Sequence, residues 1–291
     1  MTLTSLPQPV AAALADPDPG ERVTVEAGGI PWSAITWGDP ADRPLLLIHG
    51  VTASAAVWWR VGPALAASGR RVTAVDQAGH GRTGHWQGHH RFRDNAAHLT
   101  TFVRGAGLDV PPLQVIGHSW GAVTAAALPI AGIRPSTLVL LDPPVLSHAR
   151  IALEASDPKQ QPVATLEEAA AAIRETDPSL HDGDVRAMAQ SILELDFDAA
   201  RSVLLDNGDW DGGLRDLRDP AAAGLDIWVV RGEPATGSYV DDEAAAAFAE
   251  IVGEGHVITI AGGPHSPQRT HPDETVAAFL RALGPSRVTP G

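Results

Sequence analysis

Residues 113–121 read Leu-Gln-Val-Ile-Gly-His-Ser-Trp-Gly, and this segment is the clearest indication of how the chain folds. Leu113–Ile116 predicts a buried strand, and the alanine-rich run Gly121–Ile130 predicts a helix directly after it. Between them lies the pattern G-x-S-x-G. A serine at this position sits on a strained strand-to-helix turn that projects its hydroxyl, and side chains at the two glycine positions would collide with neighbouring backbone. The stretch therefore predicts that Ser119 is a nucleophile at the end of a strand.

Short apolar runs alternate with helical runs along most of the chain, which predicts an α/β fold with helices crossing over between parallel strands. The first two strands, Arg22–Glu26 and Trp32–Trp37, flank a Gly28-Gly29 turn and predict an antiparallel edge hairpin. The later strands lack apolar–polar alternation, as expected when helices cover both faces. We place them at Leu45–Ile48, Val72–Val75, Leu113–Ile116, Thr137–Leu141, Ile227–Val230 and Val257–Ile260. The prediction is a mostly parallel sheet of eight strands.

Helical periodicity between these strands predicts helices at Val57–Ala67, Phe92–Arg104, Val123–Ile130, Asp242–Ile251 and Glu274–Leu283. From Pro143 to Asp219 the strand rhythm stops, and helix-start signals such as Thr165-Leu166-Glu167-Glu168 predict an inserted helical cap. We therefore expect a core formed by residues 1–142 and 220–291, with a cap or lid at 143–219. The ends, Pro7–Pro19 and Pro285–Gly291, are expected to be loose.

Composition limits the possible functions. The net charge of −14, from 35 acidic and 21 basic residues, disfavours binding to nucleic acid or to an anionic membrane. The absence of cysteine excludes a thiol nucleophile, disulfides and thiolate metal sites. We also find no targeting segment and no long apolar run, so we expect a soluble, cytoplasmic protein. A homo-oligomer is left open.

A serine hydroxyl needs a base at neutral pH, and histidine has the suitable pKa. Of the 12 histidines, His265 follows the last predicted strand, where a loop can bring its imidazole over the nucleophile. His118 adjoins Ser119 but is expected to be a buried structural neighbour. His85, His89 and His90 lack the spacing of a metal site, so we predict a solvated loop and no metal.

Further motifs resemble those of the α/β-hydrolase superfamily, and the resemblance extends from Arg22 to Leu283. Leu46-Leu47-Ile48-His49-Gly50 is similar to the family's strand-end His-Gly turn, and Asp76-Gln77-Ala78-Gly79-His80-Gly81 to its Asp-x-x-Gly-x-Gly stretch. The resemblance implies that the backbone N–H groups of Val51 and Trp120 bind the oxyanion. Two such donors can contribute several kcal/mol to catalysis.

The acid is where this sequence departs from the family pattern. Members usually place an aspartate third after the glycine that ends the seventh strand, but here Gly232 is followed by Glu233, Pro234 and Ala235. Glu233 is our first choice because it lies at the correct end of the strand. The alternatives are Asp142, where some relatives keep their acid, and Asp241 or Asp242 farther along.

Together these residues predict a serine esterase that forms an acyl-enzyme on Ser119 and requires no cofactor. The expected partner is a small, largely apolar ester. Arg231-Gly232-Glu233-Pro234 and Pro264–Arg269 are faintly similar to hydrolases of monoalkyl phthalates, which implies a phthalate-type monoester. C–C bond hydrolysis or lactone hydrolysis by the same serine is an alternative. A non-catalytic ligand-binding member of the fold is a second alternative, because alanine occupies position 235.

Overall fold

The computed structural model describes residues 5–86, 88–110, 112–156 and 162–286. The strands of its main sheet are β1 Glu21–Ala27, β2 Ile30–Trp37, β3 Arg43–Ile48, β4 Arg70–Val75, β5 Gln114–His118, β6 Thr137–Leu141, β9 Asp226–Arg231 and β10 Val257–Thr259. These eight strands lie in the order β1-β2-β4-β3-β5-β6-β9-β10. The pairs β1–β2 and β2–β4 are antiparallel and the others are parallel, which confirms the predicted sheet and its edge hairpin.

Helices cover both faces of this sheet, which is why its central strands read as unbroken apolar runs. Alternate residues of β3 point to opposite sides: Leu46 and Ile48 join one core cluster, and Leu45 and Leu47 join the other. The first cluster packs under α3 Phe92–Gly105, α4 Trp120–Ala127, α9 Leu214–Ala222 and α10 Asp242–Val252. The second packs under α1 Gln8–Ala15, α2 Val61–Ala66 and α12 Pro272–Leu283.

Helix α1 corrects the expectation that Pro7–Pro19 is loose. Pro7 is its N-cap, and Val10 and Leu14, four positions apart, are buried in the second core cluster. Together with Ala13, which packs against the same cluster, these side chains dock this short helix. The predicted loose C-terminal segment lies partly outside the described residues.

Between β6 and β9 the chain forms the helices α5 His148–Ala155, α6 Leu166–Thr176, α7 Asp182–Leu193 and α8 Phe197–Leu205, and the short pair β7 Val145–Leu146 and β8 Trp210–Asp211. The hydroxyl of Thr165 caps α6 by accepting from the N–H of Glu168. Helix α9 crosses the predicted cap boundary at 219, and its Leu217 is buried in the first core cluster. A lid role for residues 143–219 stays a prediction.

In the described residues the remaining elements are α11 Pro267–Thr270, which follows β10, and three short 3-10 turns, which precede α2, α10 and β10. Among the described residues, no helix combines the length and the apolar character needed to cross a bilayer.

Candidate active site

Ser119 lies on the sharp turn between β5 and α4. Its backbone has φ 55° and ψ −127°, a conformation that few residues other than glycine adopt. The turn is held because the N–H of Ser119 donates to the carbonyl of Leu141 at 2.9 Å. A side chain at Gly117 would meet the carbonyl of Gly121, and one at Gly121 would meet the carbonyl of His49. Both glycines are therefore required by the close approach of the backbone.

The imidazole of His265 bridges Ser119 and a carboxylate. Its Nε2 lies 3.0 Å from the Ser119 hydroxyl, and its Nδ1 lies 2.6 Å from Oδ2 of Asp142. When Nδ1–H donates to the carboxylate, Nε2 is left unprotonated and can accept the serine proton. The structure thus brings together a hydroxyl, a base and an acid in the order that nucleophilic catalysis needs.

Asp142 is fully buried and follows the last residue of β6. Its Oδ1 accepts from the N–H of Gly232 at 3.0 Å and from the hydroxyl of Ser238. Its Oδ2 accepts from the N–H of Tyr239 at 2.9 Å in addition to the imidazole of His265. Four donors fix the carboxylate, and the carboxylate in turn fixes the orientation of the imidazole.

This arrangement corrects the first choice of Glu233 as the acid. Glu233 directs Oε2 to the N–H of Gly262, at 2.7 Å, and so ties together the loops after β9 and β10. Asp241 and Asp242 are engaged elsewhere as well, because Asp241 caps α10 and Asp242 pairs with Arg231. Asp142 reaches the imidazole because β6 and β9 are adjacent in the sheet, so that the loops after both strands meet beside His265.

A family model for the alpha/beta hydrolase fold matches residues 43–214. The chain belongs to the α/β-hydrolase family. It is 29% identical to epoxide hydrolase A of Mycobacterium tuberculosis over 136 residues, which are 46% of this chain and 41% of that protein. It is 35% identical to epoxide hydrolase B of the same organism over 91 residues, 30% of this chain and 25% of that protein. The chain therefore matches less than half the length of these curated relatives.

Among solved structures, an E-2-(acetamidomethylene)succinate hydrolase superimposes with a TM-score of 0.74 at 19% identity. The superposition covers 90% of this chain and 99% of that one. At this identity the likeness shows the fold and nothing finer.

At the predicted oxyanion site of this hydrolase, the backbone loop that carries Val51 lies close to the start of α4. Trp120 is the first residue of α4, so its N–H has no carbonyl one turn earlier in the helix. A side chain at Gly50 would lie 3.1 Å from the Cβ of Ser119, so the loop that carries Val51 passes close to the nucleophile. The carbonyl of Val51 lies 2.6 Å from Nε2 of His80, which anchors that loop. The oxyanion role of Val51 and Trp120 stays a prediction.

His118 is buried, as expected, and supports the neighbouring base. Its Nε2–H donates to the carbonyl of His265 at 3.0 Å. Burial, and then the nearby charge of His265, lower the pKa of His118 well below its usual value, so it stays neutral at physiological pH. We infer that His118 positions the His265 backbone.

The three histidines of the loop after β4 differ from one another. His85 and His89 are exposed and pair with Asp196 and Asp206 of the α8 region. His90 is buried, which corrects the expectation of a wholly solvated loop. Within the described parts of the chain, no three His, Asp or Glu side chains are grouped as metal ligands.

A cavity of about 220 Å³ opens over Ser119 and His265. Its walls include the apolar side chains of Leu146, Ile151 and Trp210, which pack with Trp120 in a small cluster above the sheet. A second, larger chamber of about 530 Å³ shares His265, Ser266 and Arg269 with it. The two spaces are therefore adjacent beside His265.

Proposed function

We propose that this α/β-hydrolase cleaves a carboxylic ester of a small, largely apolar substrate through an acyl-enzyme on Ser119. The proposal depends on one observation, the continuous hydrogen-bonded chain from the Ser119 hydroxyl through His265 to Asp142. The apolar side chains on part of the cavity wall and its modest volume favour a small acyl or alkyl group.

In the first half of the reaction the Ser119 oxygen attacks the ester carbonyl carbon, and its proton passes to Nε2 of His265. The negative charge that forms on the carbonyl oxygen is stabilised by the N–H groups of Val51 and Trp120. His265 then gives its proton to the departing alkoxide, so that an alcohol leaves and the acyl group stays on Ser119.

In the second half a water molecule attacks the acyl-enzyme and gives a proton to His265. That proton returns to the Ser119 oxygen as its bond to the acyl carbon breaks, which releases the carboxylic acid and restores the enzyme. Asp142 stabilises the imidazolium in both halves without taking a proton from it.

Lactone and C–C cleavage by the same serine form the second candidate function, because both would use the hydrogen-bonded chain seen here. Epoxide opening, named in the curated relatives, is disfavoured because it calls for a nucleophilic carboxylate where this chain has the hydroxyl of Ser119. A panel of p-nitrophenyl esters, lactones, C–C cleavage substrates and styrene oxide separates these reactions.

A fluorophosphonate probe tests the proposed nucleophile. We expect stoichiometric labelling of the wild type and none of Ser119→Ala, with a loss of p-nitrophenyl ester turnover of at least about 10³-fold. Ser156→Ala, which changes an exposed serine after α5, is the matched control and should label normally. Undiminished turnover in Ser119→Ala would end the proposal, and a wild type that is not labelled would favour a non-catalytic binding protein.

A further inference from the structure

Arg269 lies on the wall shared by the catalytic cavity and the larger chamber and lines both. Its side-chain hydrogen bond within the described residues goes from Nη1 to the sulfur of Met188, at 3.3 Å. A thioether is a weak acceptor. The Nε of Arg269 is buried with no acceptor among the described residues. A cation with strong, directional N–H donors is thus held beside the active site with few hydrogen-bond acceptors.

The nearest carboxylate does not neutralise this cation by itself. Asp184 accepts from the indole of Trp59 at Oδ1, at 3.0 Å, and from Arg60 at Oδ2, at 2.9 Å. Arg60 also donates to the backbone carbonyl of Arg269 at 2.9 Å. The group therefore contains two guanidinium ions and one carboxylate, and it carries one net positive charge.

Arg269 is half-buried and its Nε is shielded from solvent, which makes this surplus charge important. Burial lowers the pKa of Arg269, and the charge of Asp184 opposes that effect. A guanidinium nevertheless stays protonated in proteins. Buried charges are normally paired and hydrogen-bonded, because an unpaired one loses its hydration without compensation. A bound carboxylate would supply both the missing charge and acceptors for the free donors.

We propose that Arg269 binds a second, free carboxylate of the substrate, so that the preferred substrates are half-esters of dicarboxylic acids. This inference rests on the proposed ester hydrolysis. The scissile carbonyl lies at Ser119, and the carboxylate on its acyl part reaches Arg269. The part between them lies in the catalytic cavity, which Ser119 and Arg269 both line.

The carboxylates that line the two cavities do not prevent an anion from binding at Arg269. Glu154 of the catalytic cavity is already engaged by Tyr239 at 3.1 Å and Arg150 at 3.0 Å. Glu175 and Asp177 line the chamber but are at least partly exposed, so solvent screens their repulsion of an anion.

The test compares mono-p-nitrophenyl adipate with methyl p-nitrophenyl adipate, in which the distal carboxylate is capped. We expect the wild type to prefer the half-ester by about 10- to 100-fold in kcat/KM, the range for hydrogen bonds to a charged group. Arg269→Met should remove that preference mainly through KM, change the capped ester by less than about threefold, and leave the fold intact by circular dichroism. Arg269→Lys should keep part of the preference. Pimelate half-esters repeat the comparison with a longer chain.

Arg104→Met is the matched control because it removes an exposed cation paired with Asp109 and lowers the net charge equally. It should leave both substrates unaffected. Equal losses on both esters in Arg269→Met, or a wild type that does not distinguish them, would overturn the proposal.

A binding measurement separates this inference from the proposed function. Calorimetry on Ser119→Ala should show that monobutyl adipate binds more tightly than butyl methyl adipate, and that adding Arg269→Met abolishes the difference. If no ester is hydrolysed but this difference is found, the esterase proposal fails and the carboxylate site stands. If esters are hydrolysed and neither assay shows a difference, the carboxylate site fails and the esterase stands.

Discussion

Replacing Asp142 with asparagine changes one atom of a carboxylate that accepts four hydrogen bonds. Two donors meet each oxygen: Gly232 and Ser238 at Oδ1, and Tyr239 and His265 at Oδ2. The asparagine side chain offers one oxygen and one NH₂ group. Either orientation therefore sets the NH₂ group against a backbone N–H that was previously bonded.

The loss of catalytic activity follows from the same change in hydrogen bonding. If the NH₂ group faces His265, Nδ1 must accept, so the ring proton moves to Nε2 and the imidazole cannot take the proton of Ser119. If it faces Gly232, the imidazolium that forms during the reaction loses its counter-charge. We expect kcat to fall by about 10³ to 10⁴-fold, or about 4 to 5.5 kcal/mol of transition-state stabilisation. The unpaired backbone N–H should cost about 1–3 kcal/mol of folding stability.

Glu233→Gln is the matched control, because it makes the same acid-to-amide change in the other candidate. Glutamine keeps an oxygen for the N–H of Gly262, so we expect turnover within about threefold of the wild type. The assay is the burst and steady-state release of p-nitrophenol, with urea denaturation of each variant. Near-normal turnover in Asp142→Asn, or a loss of about 100-fold in Glu233→Gln, would refute the assignment of the acid.

Three further predictions concern the framework of the site. Burial lowers the pKa of His49 to about 4 and of His80 to about 3. As the pH falls, the unfolded chain therefore binds a proton at each histidine before the folded chain does. The free energy of unfolding should therefore fall by roughly 1.4 kcal/mol per pH unit for each histidine as the pH drops below about 6.5, until the folded-state pKa values are reached. A urea midpoint that is equal at pH 7.5 and pH 5 would contradict this. Gly121→Ala should cost more than about 3 kcal/mol, measured by thermal unfolding, because its Cβ meets the His49 carbonyl, and an unchanged Tm would refute that close approach. His118→Phe should lower kcat about 10-fold with little change in KM, because the carbonyl of His265 loses its donor; unchanged kcat would remove its positioning role.

Much of the fold was predictable because its signals are local. The unbroken apolar runs of β3 and β6 require cover on both faces, and the structure buries them on both faces. The structure extends several strands beyond the predicted ends by one or two residues, because ladder hydrogen bonds continue past the apolar residues. Helix α1 is not predicted from the sequence because only Val10 and Leu14 of its 8 residues are buried, and so short a periodic signal cannot be separated from a loop.

The amino-acid sequence is sufficient to locate Ser119, because Gly117 and Gly121 on either side of it meet the steric demands of a strand-to-helix turn. The acid was decided by tertiary structure. Asp142 and Glu233 both follow neighbouring parallel strands and lie at the same edge of the sheet, so composition and spacing cannot separate them. The positive φ of Asp142 turns its side chain toward His265, whereas Glu233 is extended and directed to Gly262. The surplus positive charge at Arg269 likewise arises only in the folded chain. It depends on the two oxygens of Asp184 being occupied by Trp59 and Arg60, which are distant from Asp184 in sequence.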